Sequence, residues 1–394
     1  MFTKQEYVSR LANLQRKISE NGLEVFLVSS EESIYYLTGV SYRPLERPFF
    51  IVVRAASPST LLVPALEKTH LQAAPNMGQV QSYWDYPSPP GQGWAEGLLK
   101  ILGGISQLGI EPSLPQEISR HLSGLSPRVL PLIEQLRLVK SPAEVNRLRQ
   151  AAHYADLGVR KAIAASYYGV SLVELFAQGR NVQMQIMKDT QYDVLTTNVL
   201  VGAWPAPLSA QPHGVPSPAD RLEQGPHIGL SLLRVNGYAA ECERTYFLAP
   251  PAPEVQKAFA AMQEARRRAF ALVRPGAGCS EVDAAANGFL RQEGYGDHLL
   301  HRTGHGFGLG NHEGPWVAEG SEDVLQENML ISIEPGIYLP GVGGVRHSDT
   351  VLVTHDGYEL LTHHPTDLED LIVRSSKLCA RLRGTMVRRA VGVK

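Results

Sequence analysis

Apolar residues follow two rhythms along this 394-residue chain. In the first third, short continuous apolar runs alternate with stretches where apolar residues recur every three or four positions. Residues 4–21 have the helical spacing, and residues 23–29, 49–53 and 60–63 are the compact runs that buried strands need. Residues 98–102 and 115–122 return to helical spacing between Gly- and Pro-rich turns, and residues 128–132 are expected as a late strand. Strands separated by helices predict an α/β domain with a mostly buried sheet.

A break follows at residues 136–144, where Ser141 is placed to cap a helix, Pro142 suits its first position and Glu144 falls three residues after the cap. A long helix is expected from there to about Ala165, with a domain boundary near residue 135. Two helices, a Pro/Gly-rich stretch at 201–224 and a strand pair at 228–233 and 238–247 come next, the pair joined by a turn at 235–237. Amphipathic helices at 253–273 and 280–293, a glycine-dense run at 301–314 and strands at 329–334 and 349–354 complete the pattern. Strands that turn directly into strands, with helices to one side, predict α+β. The expected division is 1–134, 135–365 and a tail, 366–394, with seven Lys/Arg against three Asp/Glu. A solvated capping helix accounts for such a tail more readily than a membrane or partner segment.

Composition narrows the function. Hydrophobic content of 43%, charged content of 19% and a formal net charge of -2 describe a globular protein without an electrostatic case for nucleic acid or anionic membrane. The N-terminus lacks the apolar core of a secretion signal and no apolar run spans a bilayer, so a cytoplasmic location is expected. Cys242, Cys279 and Cys379 lie far apart without CxxC spacing and are expected as reduced thiols.

The run HRTGHGFGLGNHEGP at 301–315, ISIEPGIY at 331–338 and GVRHSDTVLV at 344–353 resemble the signature blocks of the pita-bread enzymes. Methionine aminopeptidase, prolidase, aminopeptidase P and creatinase share them. YYLTG at 35–39 and ERPFF at 46–50 extend the likeness to the N-terminal domain of the creatinase/prolidase branch. The resemblance implies an α/β N-terminal domain followed by an α+β pita-bread catalytic domain, and a homodimer.

It also implies a metal site that this chain only partly retains. Metallopeptidases of this fold hold two divalent ions with two Asp, one His and two Glu, some of them bridging. Aligned on Arg244 and Thr245, the chain has Leu230 at the first Asp position and Glu241 at the second. His305 and Glu334 match ligands, and Ser348 stands at the final bridging Glu, with Asp349 intact after it. Leucine offers a metal nothing and serine is a poor substitute for a bridging carboxylate, so the second ion is not expected. Glu241, His305 and Glu334 are left to hold a single ion (Mn, Co or Zn) or to satisfy one another without one.

Within the same fold, creatinase hydrolyses its substrate without metal, and its E-R-T triplet is matched by Glu243, Arg244 and Thr245. His213, 17 residues before Leu230, matches the catalytic histidine of creatinase, and Arg47 an arginine that reaches a neighbouring subunit to hold the substrate carboxylate. His312 and Arg346 match residues that contact substrate or intermediate, and His305 is counted with them when no ion is bound. A neutral imidazole can shuttle a proton while carboxylates steady a cationic nitrogen and an arginine fork grips a carboxylate. His301 and His347 have no assigned role. The expectation is therefore a C–N hydrolase of a small polar, carboxylated substrate, metal-free by preference, with His213, Glu243, Glu334 and His312 in catalysis and Arg47, Arg346 and His305 in binding. A single-ion Xaa-Pro dipeptidase or aminopeptidase and a silent binding protein are the alternatives.

Overall fold

The computed structural model describes residues 2–72, 74, 77–373 and 378–393. The chain divides into two compact units, one ending at Arg137 and the other beginning at Leu138.

The first unit carries β1 (Val25–Val28), β2 (Phe50–Arg54), β3 (Thr60–Pro64), β4 (Gln79–Tyr83), β5 (Leu108–Ile110) and β6 (Arg128–Val129). They form a mixed sheet in the order β4-β3-β2-β1-β5-β6. The inner strands are buried along their length, as their continuous apolar runs require, and Val25, Leu27, Phe50, Val52 and Leu62 share a core with Trp94 and Leu98. Helices α1 (Lys4–Glu20), α2 (Glu31–Thr38), α3 (Lys68–Leu71), α4 (Trp94–Ile101) and α5 (Gln116–His121) connect the strands. The strand expected over 128–132 is shorter: Pro131 has no N–H for the ladder, and α6 (Leu132–Leu138) starts immediately after it with Leu132 and Ile133 buried.

The second unit opens with α7 (Pro142–Ala165), capped as its sequence foretells: Ser141 and Glu144 exchange side-chain and backbone bonds in a capping box. Gly158 lets this helix press on the sheet, since a Cβ there would fall 2.2 Å from the Ser231 hydroxyl. After α8 (Leu172–Asp189) come β7 (Asn198–Trp204), β8 (His227–Val235) and β9 (Tyr238–Tyr246), then α9 (Pro253–Phe270) and α10 (Cys279–Asp283). The helix expected over 280–293 changes pitch: beyond Asp283 it continues in wider turns. The remaining strands are β10 (Gly304–Gly306), β11 (Glu313–Val317), β12 (Leu330–Ile333), β13 (Gly336–Leu339), β14 (Gly343–Arg346), β15 (Ser348–Val353) and β16 (Tyr358–Leu360). An antiparallel sheet runs β11-β10-β12-β15-β9-β8-β7 with β16 added to β15, while β13 and β14 form a separate hairpin. This is the α+β arrangement that strand-to-strand connectivity implied.

The basic tail divides. Leu371 is buried and Ile372 pairs with Phe247 beside β9, so the residues up to Val373 complete the second unit. Arg374, Lys377 and Lys394, three of the tail's basic residues, lie outside the described residues. Helix α11 (Leu378–Val391) rests on α8, where Gly384 permits close approach and Arg388 pairs with Glu174. Among the described residues no helix is long and apolar enough to cross a membrane.

Replacing Ser141 with Ala removes half of the capping box on the helix that backs the sheet. Denaturant unfolding should show a loss of about 1 kcal/mol; an unchanged midpoint would mean that the cap carries no stability.

Candidate functional site

The site begins with a two-residue turn. Asn236 and Gly237 both have positive φ (48° and 92°), the backbone of a type I′ hairpin, and so fix the register of β8 on β9. Leu230 then lies opposite Glu243 and Leu232 opposite Glu241. On the other side of β9, Ser348 of β15 also pairs with Glu243. Directly paired residues share a sheet face, so Leu230 and Ser348 flank Glu243 on the face that bears Glu241.

Each carboxylate on that face has a different partner. Glu243 is gripped at both oxygens by Arg346, whose Nη2 donates to Oε1 at 2.9 Å and whose Nε donates to Oε2. Burial raises the Glu243 carboxyl and the Arg346 charge opposes that rise. Glu241 accepts a 2.6 Å bond from the Ser348 hydroxyl. Burial and the nearby Glu334 charge push it up to about 8. Glu334 accepts from Ser332 Oγ at 3.1 Å and lies 3.2 Å from His305 Nε2. Burial disfavours its charge, but the His305 contact outweighs burial and holds it at about 2.

His305 sits between these acids, its Nε2 also 3.9 Å from Glu241. Burial opposes the imidazolium, yet Glu334 and Glu241 together raise it to about 9. Its Nδ1 lies 3.1 Å from the carbonyl of Gly306 and so carries a proton. Its Nε2 is buried and makes no aligned hydrogen bond, because the Glu334 contact is close but poorly directed. His312 lies over it, ring centroids 3.8 Å apart. Although His312 is exposed, the enclosed part of its ring and the adjacent His305 charge lower it to about 4, leaving a neutral imidazole.

Glu241, Glu243, His305, His312, Glu334 and Arg346 are thus brought together. His213 is exposed on its loop, within electrostatic reach of His301 and His312. Arg47 belongs to the first unit, where it pairs with Glu46 at 2.6 Å and Asp85 at 2.5 Å. His347 is a satisfied core histidine: Nδ1 accepts from the Thr245 amide at 3.1 Å, and Nε2 faces the carbonyl of Thr366. His301 has a place that its sequence did not reveal. Its Nδ1 faces the carbonyl of Arg302 and therefore donates, so Nε2 accepts from Tyr338, whose oxygen in turn accepts from Arg346 Nη1 at 2.9 Å. Tyr338 and Ser332 both lie in the 331–338 block, but nothing in residue spacing marked either as a partner of the charged groups.

The donor set can be tested against the metals that the resemblance implies. One ligand atom from each of Glu241, His305 and His312 falls within a 4.8 Å cluster, and the unsatisfied His305 Nε2 lies 3.9 Å from Glu241 Oε1. Those residues fit one divalent ion. A two-ion centre does not fit, because Leu230 is apolar and the Ser348 hydroxyl is spent on Glu241.

Comparison with known proteins gives a consistent picture. The model of metallopeptidase family M24 matches residues 146–355, and that of the creatinase/prolidase N-terminal domain matches residues 10–150. A putative dipeptidase, YkvY, of Bacillus subtilis (strain 168) is 31% identical over 372 residues, covering 92% of this chain and 99% of that protein. Dipeptidase PepE from Mycobacterium ulcerans superposes with a TM-score of 0.81 at 29% identity, over 93% of this chain and 98% of its own. The prolidase from Pyrococcus horikoshii OT3 does so with a TM-score of 0.77 at 29% identity, over 91% and 99%.

Exchanging Glu243→Gln keeps the shape of the side chain but leaves the Arg346 guanidinium buried without its counter-charge. A loss of about 3–5 kcal/mol in equilibrium unfolding is expected; a variant as stable as the parent would show that the pair does not exist in solution.

Proposed function

The chain belongs to metallopeptidase family M24, and from that premise we propose that it hydrolyses a C–N bond in a small, carboxylated, dipeptide-like substrate at a site reduced to a single divalent cation. His305 Nε2 carries this reading: a buried imidazole nitrogen with no aligned hydrogen bond, between the carboxylates of Glu241 and Glu334, where an ion would take the place of the proton that those two charges favour. Such an atom costs free energy unless something binds it. The dipeptidase and prolidase names of the relatives support the substrate class.

Glu241 and His305, with His312 or Glu334, would hold the ion. When bound it supplies Lewis-acid polarisation and a water of lowered pKa. The protein's own groups do the rest. Where Glu334 completes the ligand set, His312, kept neutral by its surroundings, is left to accept a proton and return it to the leaving nitrogen. Arg346 presents positive charge toward a developing oxyanion, oriented by the Glu243 fork and by Tyr338. Glu334 keeps its negative charge and aligns His305.

A metal-free reading is favoured by the His305–Glu334 contact, because an imidazolium against a carboxylate already relieves part of the buried charge. His213, Glu243 and Glu334 would then serve proton transfer and the binding of a cationic substrate.

Equilibrium dialysis against Mn, Co or Zn should find one ion per chain in the parent and none in His305→Ala. The combined Leu230→Asp, Glu241→Asp and Ser348→Glu exchange should bind two. Dipeptide turnover should disappear with chelation and return with the ion. Turnover that survives in metal-free protein and falls with His213→Ala would replace the single-ion reading with the metal-free one. Failure to turn over dipeptides, guanidines and amidines alike would contradict the hydrolase assignment.

A further inference from the structure

Behind the sheet face that carries the site, the second unit has a cavity of about 860 Å³ that the proposed chemistry does not use. Arg244 and Arg266 line it, 1% and 5% exposed, and between them they have one buried carboxylate, that of Asp349. Asp349 accepts from both guanidinium groups. Arg244 has its remaining donors on the carbonyls of Glu243, Ser348, His364 and Pro365. Arg266 gives Nη1 to Gln263 at 2.7 Å, but its Nε is buried with no partner.

Asp156, half-buried, is a second carboxylate acting on Arg244, whereas Asp349 is the carboxylate that acts on Arg266, so the positive charge at Arg266 is shared out over one anion in surroundings where low dielectric makes incomplete pairing costly. His364, on the same wall, senses that charge: burial first, then Arg244 and Arg160, lower it to about 4. Two carboxylates at the mouth, Asp367 and Asp370, are exposed, where water screens them. Beside the cationic floor, Phe270 and Tyr358 stack with ring centroids 5.1 Å apart and give the cavity an apolar wall, the Arg266 guanidinium lying 5.4 Å from the Phe270 ring centroid.

We propose that this cavity is a binding site for a small oxyanion, a phosphate or phosphate monoester, held by the Arg266 guanidinium over Asp349. Guanidinium groups suit tetrahedral oxyanions because several N–H donors converge on separate oxygens, and an unpartnered Nε offers one such donor without breaking an existing bond. Arg244 and Asp349 directly follow Glu243 and Ser348 in sequence, so the site lies on the reverse side of the same two strands that carry the front cluster.

Calorimetric titration at constant ionic strength tests this with inorganic phosphate and phenyl phosphate as probes. Saturable phosphate binding is expected in the parent. It should weaken about tenfold in Arg266→Met, which removes the donor, and in Gln263→Glu, which supplies a carboxylate from within. The second variant is isosteric and keeps the test open should the first fail to fold. His305→Ala, on the opposite face, should bind phosphate like the parent. Tighter binding of phenyl phosphate would identify a monoester that uses the aromatic wall, and equal binding would identify free phosphate; both support the site. No saturable binding in the parent, binding that survives both cavity variants, or binding lost in His305→Ala alone would overturn it.

Discussion

The buried contact between Arg244 and Asp349 is the constraint on which the second unit's site depends. The guanidinium meets Asp349 Oδ1 at 2.6 Å, with both groups 1% exposed. It also donates to the carbonyls of Glu243 at 2.8 Å and Ser348 at 2.9 Å. Removing an arginine and an aspartate from water costs several kcal/mol for each ion, and only near-complete hydrogen bonding offsets that cost. The geometry that offsets it is specific: β9 and β15 must lie in one register, with the chain at His364 and Pro365 folded against them. A slip of one residue would turn every side chain of a strand to the other face. Arg244 therefore fixes which residues face forward as firmly as the Asn236–Gly237 turn does from the other edge of β9.

The E-R-T triplet consequently has a structural meaning that its likeness to creatinase alone did not provide. Each member bonds to the same short stretch of β14 and β15: Glu243 to Arg346, Arg244 to Asp349, and Thr245 to the main chain of Arg346. The Glu243–Arg346 pair stands between Leu230 and Ser348, neither of which carries a charge. A further carboxylate at either position would compete for Arg346 or be left buried without a counter-charge.

Much of the fold was legible because it rests on local rules. The helix at Pro142 follows from its capping box, the β8–β9 hairpin from its turn residues, and the buried strands of the first unit from continuous apolar runs. Glu241 and Glu243 could be assigned to one face by alternation, and His305 and Glu334 by their blocks. What the sequence withheld were properties of three-dimensional proximity. Tyr338 links Arg346 to His301 only because β13 and β14 form a hairpin beside the sheet, and His347 is satisfied only because Thr245 presents its amide there. Nor did residue types reveal that Glu243 would be engaged by Arg346 or that His305 Nε2 would go without a partner. These depend on angles and distances of a few tenths of an ångström.

The central proposal is that the cluster of Glu241, His305, His312 and Glu334 holds one divalent ion. Anomalous diffraction from crystals of the protein equilibrated with Mn or Zn tests it most directly. The account predicts one anomalous peak per chain, within bonding distance of Glu241 and His305. Two peaks bridged by carboxylates, or none at that cluster, would contradict it.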